Sequence, residues 1–225
     1  MCTDRYMRGS GGYADAVSTE HADPGTVTRP ATARGRRTRE AIVDAAAELM
    51  QSRGIAATGV GDVLLASGTG KSQLYHYFRG KQDLVLAVID RQLERVLAAL
   101  RDLAGPGGDP AVWVEAMLVI HRGDGGPYSC PLGVFSGQVD ADPVLREHHA
   151  TAFLTWQHHL AEMIATARGR GFVAATGDPE TLAAAVLATL QGGLMLARLH
   201  RDADVLEIAL RAALDHLRVP PSGRP

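Results

Sequence analysis

The chain has 225 residues, of which 46% are hydrophobic and 21% charged, and its formal net charge is −2. This apolar content is enough for a sizeable core, and the small net charge argues against a protein that coats nucleic acid. No stretch approaches the roughly 20 uninterrupted apolar residues of a membrane helix, and the first residues lack the apolar core of a secretory signal. Cys2 and Cys130 are too far apart in sequence to suggest a disulfide framework. We therefore expect a cytoplasmic protein without a membrane partner.

The positive charge is concentrated near the N-terminus. Between Arg29 and Lys81, nine Arg and Lys residues stand against four Asp and Glu residues. Such an excess on one part of a chain predicts that this part meets a polyanion. Residues 1–35 are rich in Gly, Ser, Thr, Ala and Pro without periodicity, and we predict a disordered arm with a basic end. The arm either touches the polyanion or only keeps the chain soluble.

A first amphipathic helix is predicted from Thr38, which could cap it, to Arg53 before Gly54. Its apolar residues recur at steps of three and four. Two short helices follow, at about 61–67 and 71–78, separated by Gly68-Thr69-Gly70, and a long helix is predicted over 81–103.

The segment AGPGGDP at 104–110 marks a boundary, and only helical spacing follows it. Asp178 and Pro179 predict an N-cap and a first helical residue. We predict an all-α fold, with an N-terminal three-helix domain at 36–95 and a C-terminal helical domain at 104–217. The candidate helices of the second domain are 111–122, 130–138, 143–169, 178–200 and 203–217.

Residues 58–78, TGVGDVLLASGTGKSQLYHYF, are typical of a helix-turn-helix motif. The second helix is expected to be anchored by Leu74 and Phe78. Its outward side chains would be those that bind phosphates and base edges of double-stranded DNA. These outward residues are Lys71, Ser72, Gln73, Tyr75 and His76.

The stretch from Thr38 to about Val88 resembles the DNA-binding domain of the tetracycline-repressor (TetR) family, above all in L-Y-H-Y-F followed by Lys81 and Leu84. The resemblance implies that Thr58, Tyr75, Tyr77 and Lys81 hold phosphates and that Lys71–Gln73 and His76 read bases. Gly59, Gly61 and Gly70 depart from the side chains common in the family, which predicts fewer contacts from the first helix of the motif. The full predicted DNA-binding set is Arg37, Thr58, Gly59, Lys71, Ser72, Gln73, Tyr75, His76, Tyr77 and Lys81.

The C-terminal part, with Cys130-Pro131-Leu132-Gly133 and the Leu190–Arg198 helix, resembles the branch of that family that includes lincomycin-resistance and efflux operon repressors. This resemblance implies a homodimer that represses nearby efflux or detoxification genes and releases its operator when a small molecule binds. The predicted ligand-pocket residues are Trp113, Met117, Cys130, Phe135, Phe153, Trp156 and Gln157, although each could be ordinary core. The predicted dimer-interface residues, which could equally form an intrachain core, are Leu182, Val186, Leu190, Gly193, Leu194, Leu206 and Leu210.

Two other classes of protein are compatible with parts of the sequence. The segment Ser67–Ser72 looks like a nucleotide-binding loop, but Leu65 stands where that loop needs glycine, and no strand is predicted before it. A ligand-binding or interaction module without DNA function is the second alternative. Cys130 could sense oxidants or simply pack. The spacing of His148, His149, His158 and His159 predicts no metal site, and we expect neither a cofactor nor enzymatic activity.

Overall fold

The computed structural model describes residues 32–103, 108–122 and 129–218. These residues form eight α-helices, one turn of 3-10 helix at Gly133–Phe135, and no strand, so the all-α prediction is confirmed. The helices are α1 (Ala33–Arg53), α2 (Val60–Ser67), α3 (Lys71–Tyr77), α4 (Lys81–Leu103), α5 (Pro110–Arg122), α6 (Pro143–Gly169), α7 (Pro179–His200) and α8 (Asp204–Arg218).

The first helix begins five residues earlier than predicted. Thr32, not Thr38, is the N-cap, and its Oγ1 accepts a hydrogen bond from Gly35 N at 3.0 Å. Thr38 lies inside the helix, where its hydroxyl donates to Arg34 O at 3.1 Å. The start was misplaced because the first turns of α1 are polar on every side and show no periodic apolar signal. The rest of the predicted arm, residues 1–31, lies outside the described residues.

Helices α1, α2 and α3 enclose a small apolar core. The apolar face of α1 carries Ile42, Ala46 and Met50, which are almost fully buried, as are Val63 of α2 and Leu74 of α3. Their spacing by three and four residues brings them to one side of each helix. The core therefore holds the two short helices in place although neither is long enough to be stable alone.

Helix α4 is shared between the two halves of the fold, packing against α1 on one side and α6 on the other. The carboxylate of Asp44 on α1 accepts hydrogen bonds from Arg91 Nε at 2.8 Å, Arg91 Nη2 at 3.1 Å and Arg95 Nη2 at 2.9 Å. Since Arg91 and Arg95 are one turn apart on α4, a single carboxylate fixes two points of that helix to α1.

Helix α7 lies between α6 and α8 in the C-terminal part. Asp178 caps it as predicted, accepting from Thr181 N at 3.0 Å, and Pro179 is its first residue. With 22 residues and a mean hydropathy of 1.6, α7 has the length and composition of a membrane span. Leu187, Leu190 and Leu194 are buried against neighbouring helices, however, and core helices of soluble proteins meet the same criterion.

The predicted helix over 130–138 is wrong. Only Gly133–Phe135 form a 3-10 turn, followed by further turns as far as Asp142. The apolar residues of this segment favour a helix, but Pro131, Gly133 and Gly137 destabilise a helix at these positions. Leu132 and Phe135 are nonetheless fully buried, so this segment is anchored in the core.

Candidate nucleic-acid interface and ligand cavities

The turn between α2 and α3 has a defined geometry. Gly68 ends α2 in the left-handed conformation with φ of 63°, and Thr69 N donates to Leu64 O at 3.2 Å. The hydroxyls of Ser67 and Thr69 lie 2.7 Å apart in hydrogen-bond contact. A helix, not a buried strand, thus precedes Gly68-Thr69-Gly70-Lys71-Ser72, and the nucleotide-binding interpretation of this segment is wrong.

The N-cap residue of α3 is Gly70, which has no side chain to accept a hydrogen bond from the first turn. The side chain of Gln73 contributes the other bond of a capping box, because its Oε1 accepts from Gly70 N at 3.0 Å. The same half of a capping box recurs on α2, where Asp62 Oδ2 accepts from Gly59 N at 2.9 Å. Gln73 Oε1 therefore accepts one hydrogen bond in this state, and bidentate pairing with a base would either use its second lone pair or replace that bond.

The outer face of α3 brings five of the predicted DNA-binding residues together. Leu74 is fully buried, so the other sides of this short helix face outward. The ammonium of Lys71 lies 5.9 Å from the centre of the Tyr75 ring, whose side chain is 48% exposed. The result is an exposed surface rich in hydrogen-bond donors, formed by Lys71, Ser72, Gln73, Tyr75 and His76.

The remaining predicted residues have different surroundings. Arg37 and Gly59 are exposed, and Lys81 at the start of α4 donates to Ala56 O at 3.3 Å. Thr58 is 1% exposed, and its hydroxyl donates to Gly54 O at 2.8 Å. Tyr77 is also buried. In this state Thr58 and Tyr77 lie beneath the surface, and their phosphate contacts stay predictions.

A partly open cavity of about 180 Å³, here the inner cavity, lies between α4, α5, α6 and α7. Four predicted pocket residues line it: Trp113, Met117, Cys130 and Trp156. A larger and more open groove of about 860 Å³, here the outer groove, lies between α6, α7 and the segment 129–136. Cys130, Phe153 and Gln157 line the outer groove, whereas Phe135 is fully buried in the core and lines neither space.

Two buried nitrogen atoms that belong to walls of the inner cavity have no hydrogen-bond partner among the described residues. They are Trp156 Nε1 and His121 Nδ1. Burial lowers the pKa of His121, because the charged imidazolium loses its hydration. Buried polar atoms are nearly always hydrogen-bonded in folded proteins, so these two are exceptions, and both are covered by neighbouring side chains in this state.

Cys130 lines both the inner cavity and the outer groove. The residue is 5% exposed, and its Sγ accepts from Gly133 N at 3.2 Å. Burial raises the pKa of the thiol, which keeps it protonated and poorly nucleophilic. This environment favours the packing interpretation of Cys130 over oxidant sensing. The described residues also contain no group of three or more His, Cys, Asp and Glu side chains able to hold a metal ion.

The predicted dimer-interface residues take part in the intrachain core, the alternative that the sequence left open. All seven residues are buried within a single chain, and they join α7 to α8 and to the rest of the core. Gly193 shows how close this packing is, since a Cβ added there would lie 3.0 Å from Leu206 Cδ1. Leu182 and Val186 also border a groove on the surface between α7 and α8, so a contact of these two residues with a second chain stays a prediction. The exposed apolar side chains of the same helices are Met195, Leu196, Leu199 and Ile208.

A contact between the two halves of the fold was missed from the sequence. Gln138 Oε1 accepts from Ile55 N, in the loop between α1 and α2, at 2.7 Å. Gln138 Nε2 also donates to Val134 O at 2.7 Å, next to the wall of the outer groove. Ile55 and Gln138 are 83 residues apart in sequence, and no local sequence pattern predicts a contact over such a separation.

Comparisons with known proteins cover both halves. The family model of bacterial regulatory proteins, tetR family, matches residues 42–88, and that of the tetracyclin repressor-like C-terminal domain matches residues 112–213. An uncharacterized HTH-type transcriptional regulator in the lacX 3'region of Lactococcus lactis subsp. lactis is 29% identical over 178 residues, 76% of this chain and 89% of that protein. HTH-type transcriptional regulator LmrA of Bacillus subtilis is 32% identical over 81 residues, 36% of this chain and 43% of LmrA. A TetR transcriptional regulator from Chloroflexus aurantiacus superposes with a TM-score of 0.68 at 27% identity, covering 82% of this chain and 96% of that one.

Proposed function

The chain belongs to the tetR family of bacterial helix-turn-helix transcriptional regulators, and on this basis we propose that it is a homodimeric repressor released from its operator by a small molecule. The genes it controls encode efflux or detoxification functions and lie near its own gene. We place the protein in the cytoplasm, on the nucleoid, and assign it no enzymatic activity.

The exposed face of α3 is the single observation that carries the DNA-binding part of the proposal. A helix of roughly 10–12 Å diameter fits the major groove of B-DNA, which is about 12 Å wide. Lys71 and Ser72 stand at the N-terminal end of α3, the end that contacts base edges in helix-turn-helix complexes. Tyr75 and His76, one turn further along, would donate to phosphate oxygens.

Dimerisation is proposed through outward faces of α7 and α8. A groove of about 260 Å³ between these helices is lined largely by small residues, among them Ala185, Ala209 and Ala212. Small side chains allow close approach of a second pair of helices. Ile208, 70% exposed, extends this surface on α8. Two protomers joined in this way would present two α3 helices to half-sites one or more helical turns apart on the operator.

Release requires that a ligand in the C-terminal part changes the position of α3. Segment 130–138 supports such coupling, because its first residue borders both ligand spaces and its last bonds to Ile55. His149, a wall residue of the outer groove, contacts Leu132 O at 3.0 Å through Nε2. A ligand that binds one arrangement of this segment more tightly would shift the population of the dimer away from the DNA-bound spacing.

Operator binding is expected to depend steeply on salt. With DNA from the region flanking its own gene, affinity should fall by about a hundredfold or more between about 50 and 200 mM salt, because each neutralised phosphate releases counterions. Mobility-shift titrations at four salt concentrations measure the slope. A chain that binds no flanking DNA, or binds it with no salt dependence, would support a ligand-binding module without DNA function. The glycines at 59, the N-cap of α2, and at 61, inside α2, favour that alternative.

Loss of the Gln138 contact is expected to uncouple release from ligand binding. In Gln138→Leu, Ile55 N loses its acceptor, and the ligand concentration for half-release should rise about fivefold to tenfold. Direct ligand affinity and ligand-free operator affinity should stay within about threefold. The ligand is one selected by screening compounds for loss of the mobility shift.

The matched control is Gln138→Glu, which retains an oxygen acceptor for Ile55 N. For this variant, the ligand concentration for half-release should lie closer to that of the unaltered protein than the concentration measured for Gln138→Leu does. Equal release concentrations in all three proteins would contradict the proposed route through segment 130–138.

A further inference from the structure

Helix α4 carries two consecutive residues that bond to different halves of the fold. Arg91 donates to Asp44 on α1 at 2.8 Å, whereas Asp90 Oδ1 lies 2.6 Å from Nε2 of His148 on α6. Consecutive residues of a helix are only about 1.5 Å apart along its axis. Asp90 and Arg91 therefore attach adjacent points of α4 to the C-terminal part and to the DNA-binding part.

A second side-chain bond joins α4 to the start of α6. Gln82 Nε2 donates to Asp142 Oδ2 at 2.7 Å, and Asp142 is the N-cap residue of α6. The amide of Gln82 has no proton to lose or gain near neutral pH. Of these two bonds, only the one between Asp90 and His148 has a member whose charge changes near neutral pH.

The contact between Asp90 and His148 exists in both charge states of the imidazole. Because Nε2 faces a carboxylate, Nε2 carries a hydrogen and donates to Asp90 Oδ1 whether or not Nδ1 is protonated. Protonation adds a full positive charge to the donor and strengthens the bond. This hydrogen bond raises the pKa of His148 above its usual value of 6.5, and the charge of Asp90 acts in the same direction, while burial opposes both.

The neighbouring charges on α4 and α6 have other partners or none of the right sign. On α4, Arg91 Nη1 donates to Glu94 Oε2 at 3.3 Å. On α6, His149 is buried, and its Nε2 lies 3.0 Å from Leu132 O. Burial lowers the pKa of His149, so this ring is neutral at the pH values where His148 titrates.

The remaining charged groups near His148 lie before it in sequence. Arg146 and Glu147 on α6 are exposed, and neither side chain bonds to Asp90 or His148. Asp140, in the turns before α6, acts on His149, whose pKa it raises against the effect of burial. The titration of His148 therefore acts on its bond to Asp90.

The sign and the size of the effect follow from the same contact. Because the pKa of His148 is raised in the folded chain, its contribution is complete below about pH 6.5 and is lost as the pH rises through the raised value. The side chains of Asp90 and His148 are 58% and 37% exposed, so solvent screens the pair. A partly exposed pair of this kind changes an equilibrium constant by about twofold to fivefold.

We propose that the Asp90–His148 pair is a pH-sensitive clamp between α4 and α6, which tightens when His148 is protonated and makes release of the operator by ligand harder at acidic pH. The clamp follows from the contact between the two helices, whereas its effect on release rests on the proposed function. Movement of α4 against α6 separates Asp90 from His148, so the charge of His148 sets part of the cost of that movement.

The clamp is tested without DNA or ligand by a double-mutant cycle of Asp90→Asn and His148→Gln. In urea unfolding at fixed protein concentration, the pair should lower the unfolding equilibrium constant by about twofold to fivefold at pH 6.0, and by a smaller factor at pH 8.5. An NMR titration of the imidazole signals provides a second readout. The pKa of His148 should fall towards the usual histidine value in Asp90→Asn.

Operator release is measured by mobility shift at the same two pH values, with a ligand that has no titratable group in this range. The ratio of the half-release concentration at pH 6.0 to that at pH 8.5 should be about twofold to fivefold larger in the unaltered protein than in Asp90→Asn or His148→Gln. The matched control is His159→Gln, because His159 Nδ1 lies 3.0 Å from Glu162 Oε2 within α6 and that pair joins no second helix. Its ratio should equal that of the unaltered protein.

Absence of coupling in the cycle, or a pKa of His148 that Asp90→Asn leaves unchanged, would overturn the clamp. A ratio smaller in the unaltered protein than in the two variants would overturn the direction of its effect on release, and equal ratios in all proteins would overturn the effect itself. A protein that no screened ligand releases from DNA would instead contradict the ligand-released repressor, while the unfolding cycle and the NMR titration would still decide the clamp.

Discussion

Replacement of Lys71 by alanine is expected to weaken operator binding by about tenfold or more, the effect of losing a specific contact to a base or a well-placed phosphate. Lys71 is the first residue of α3, is exposed, and lies over the Tyr75 ring. Its removal subtracts a positive charge from the end of α3 nearest the groove. Fluorescence anisotropy with labelled operator measures the change, and circular dichroism verifies that the fold is intact.

Arg146→Ala is the matched control, since it removes an exposed positive charge on α6 and leaves α3 untouched. Its affinity should stay within about twofold of the unaltered protein at fixed salt. The salt slope of Lys71→Ala separates two roles for the lysine, because loss of a phosphate contact lowers the slope by about one and loss of a guanine contact does not. Unchanged affinity in Lys71→Ala would remove α3 from the interface.

Gly193→Val is expected to destabilise the chain by about 1–3 kcal/mol, the usual cost of added volume in a packed core. A Cβ at this position would lie 3.0 Å from Leu206 Cδ1 and 3.2 Å from Ala209 Cβ, so α7 and α8 would have to move apart. Urea unfolding followed by circular dichroism measures the free energy, and gel filtration reports any accompanying loss of the dimer.

The neighbouring glycine provides the control. A Cβ added at Gly192 meets nothing within 4 Å, and alanine is the better helix former. Gly192→Ala should therefore leave stability unchanged or raise it by up to about 1 kcal/mol. Equal destabilisation by both substitutions would indicate that α7 is sensitive along its whole length and that close packing at Gly193 is not the cause.

The helices were predictable where one apolar stripe and clear end signals coincide. Helix α4 and helix α6 begin and end where the sequence predicts, and Asp178-Pro179 marks the start of α7. The prediction fails where these signals are weak or contradictory. The early turns of α1 are polar all round, and the apolar residues of 130–138 are interspersed with glycine and proline.

The outward residues of α3 were predictable because Leu74 and Phe78 leave only one orientation for so short a helix. The packing side of α7 was not predictable, because α7 is apolar on more than one side and spacing alone cannot tell which side faces α8. The hydrogen bond of Gln138 was not predictable for another reason. A polar side chain that bonds to a distant backbone amide produces no periodic pattern in the sequence.

The bonds of Asp44 to Arg91 and Arg95 also connect any tilt of α4 to the position of the helix-turn-helix. Because they join α1 to the first four turns of α4, a tilt of α4 turns the DNA-binding helices with it as one body. The 23 residues of α4 span about 34 Å, so a rotation of only about 5° about its far end, beside the inner cavity, displaces the near end by roughly 3 Å. That displacement equals about one base-pair step, so in the proposed repressor it would shift α3 off its half-site.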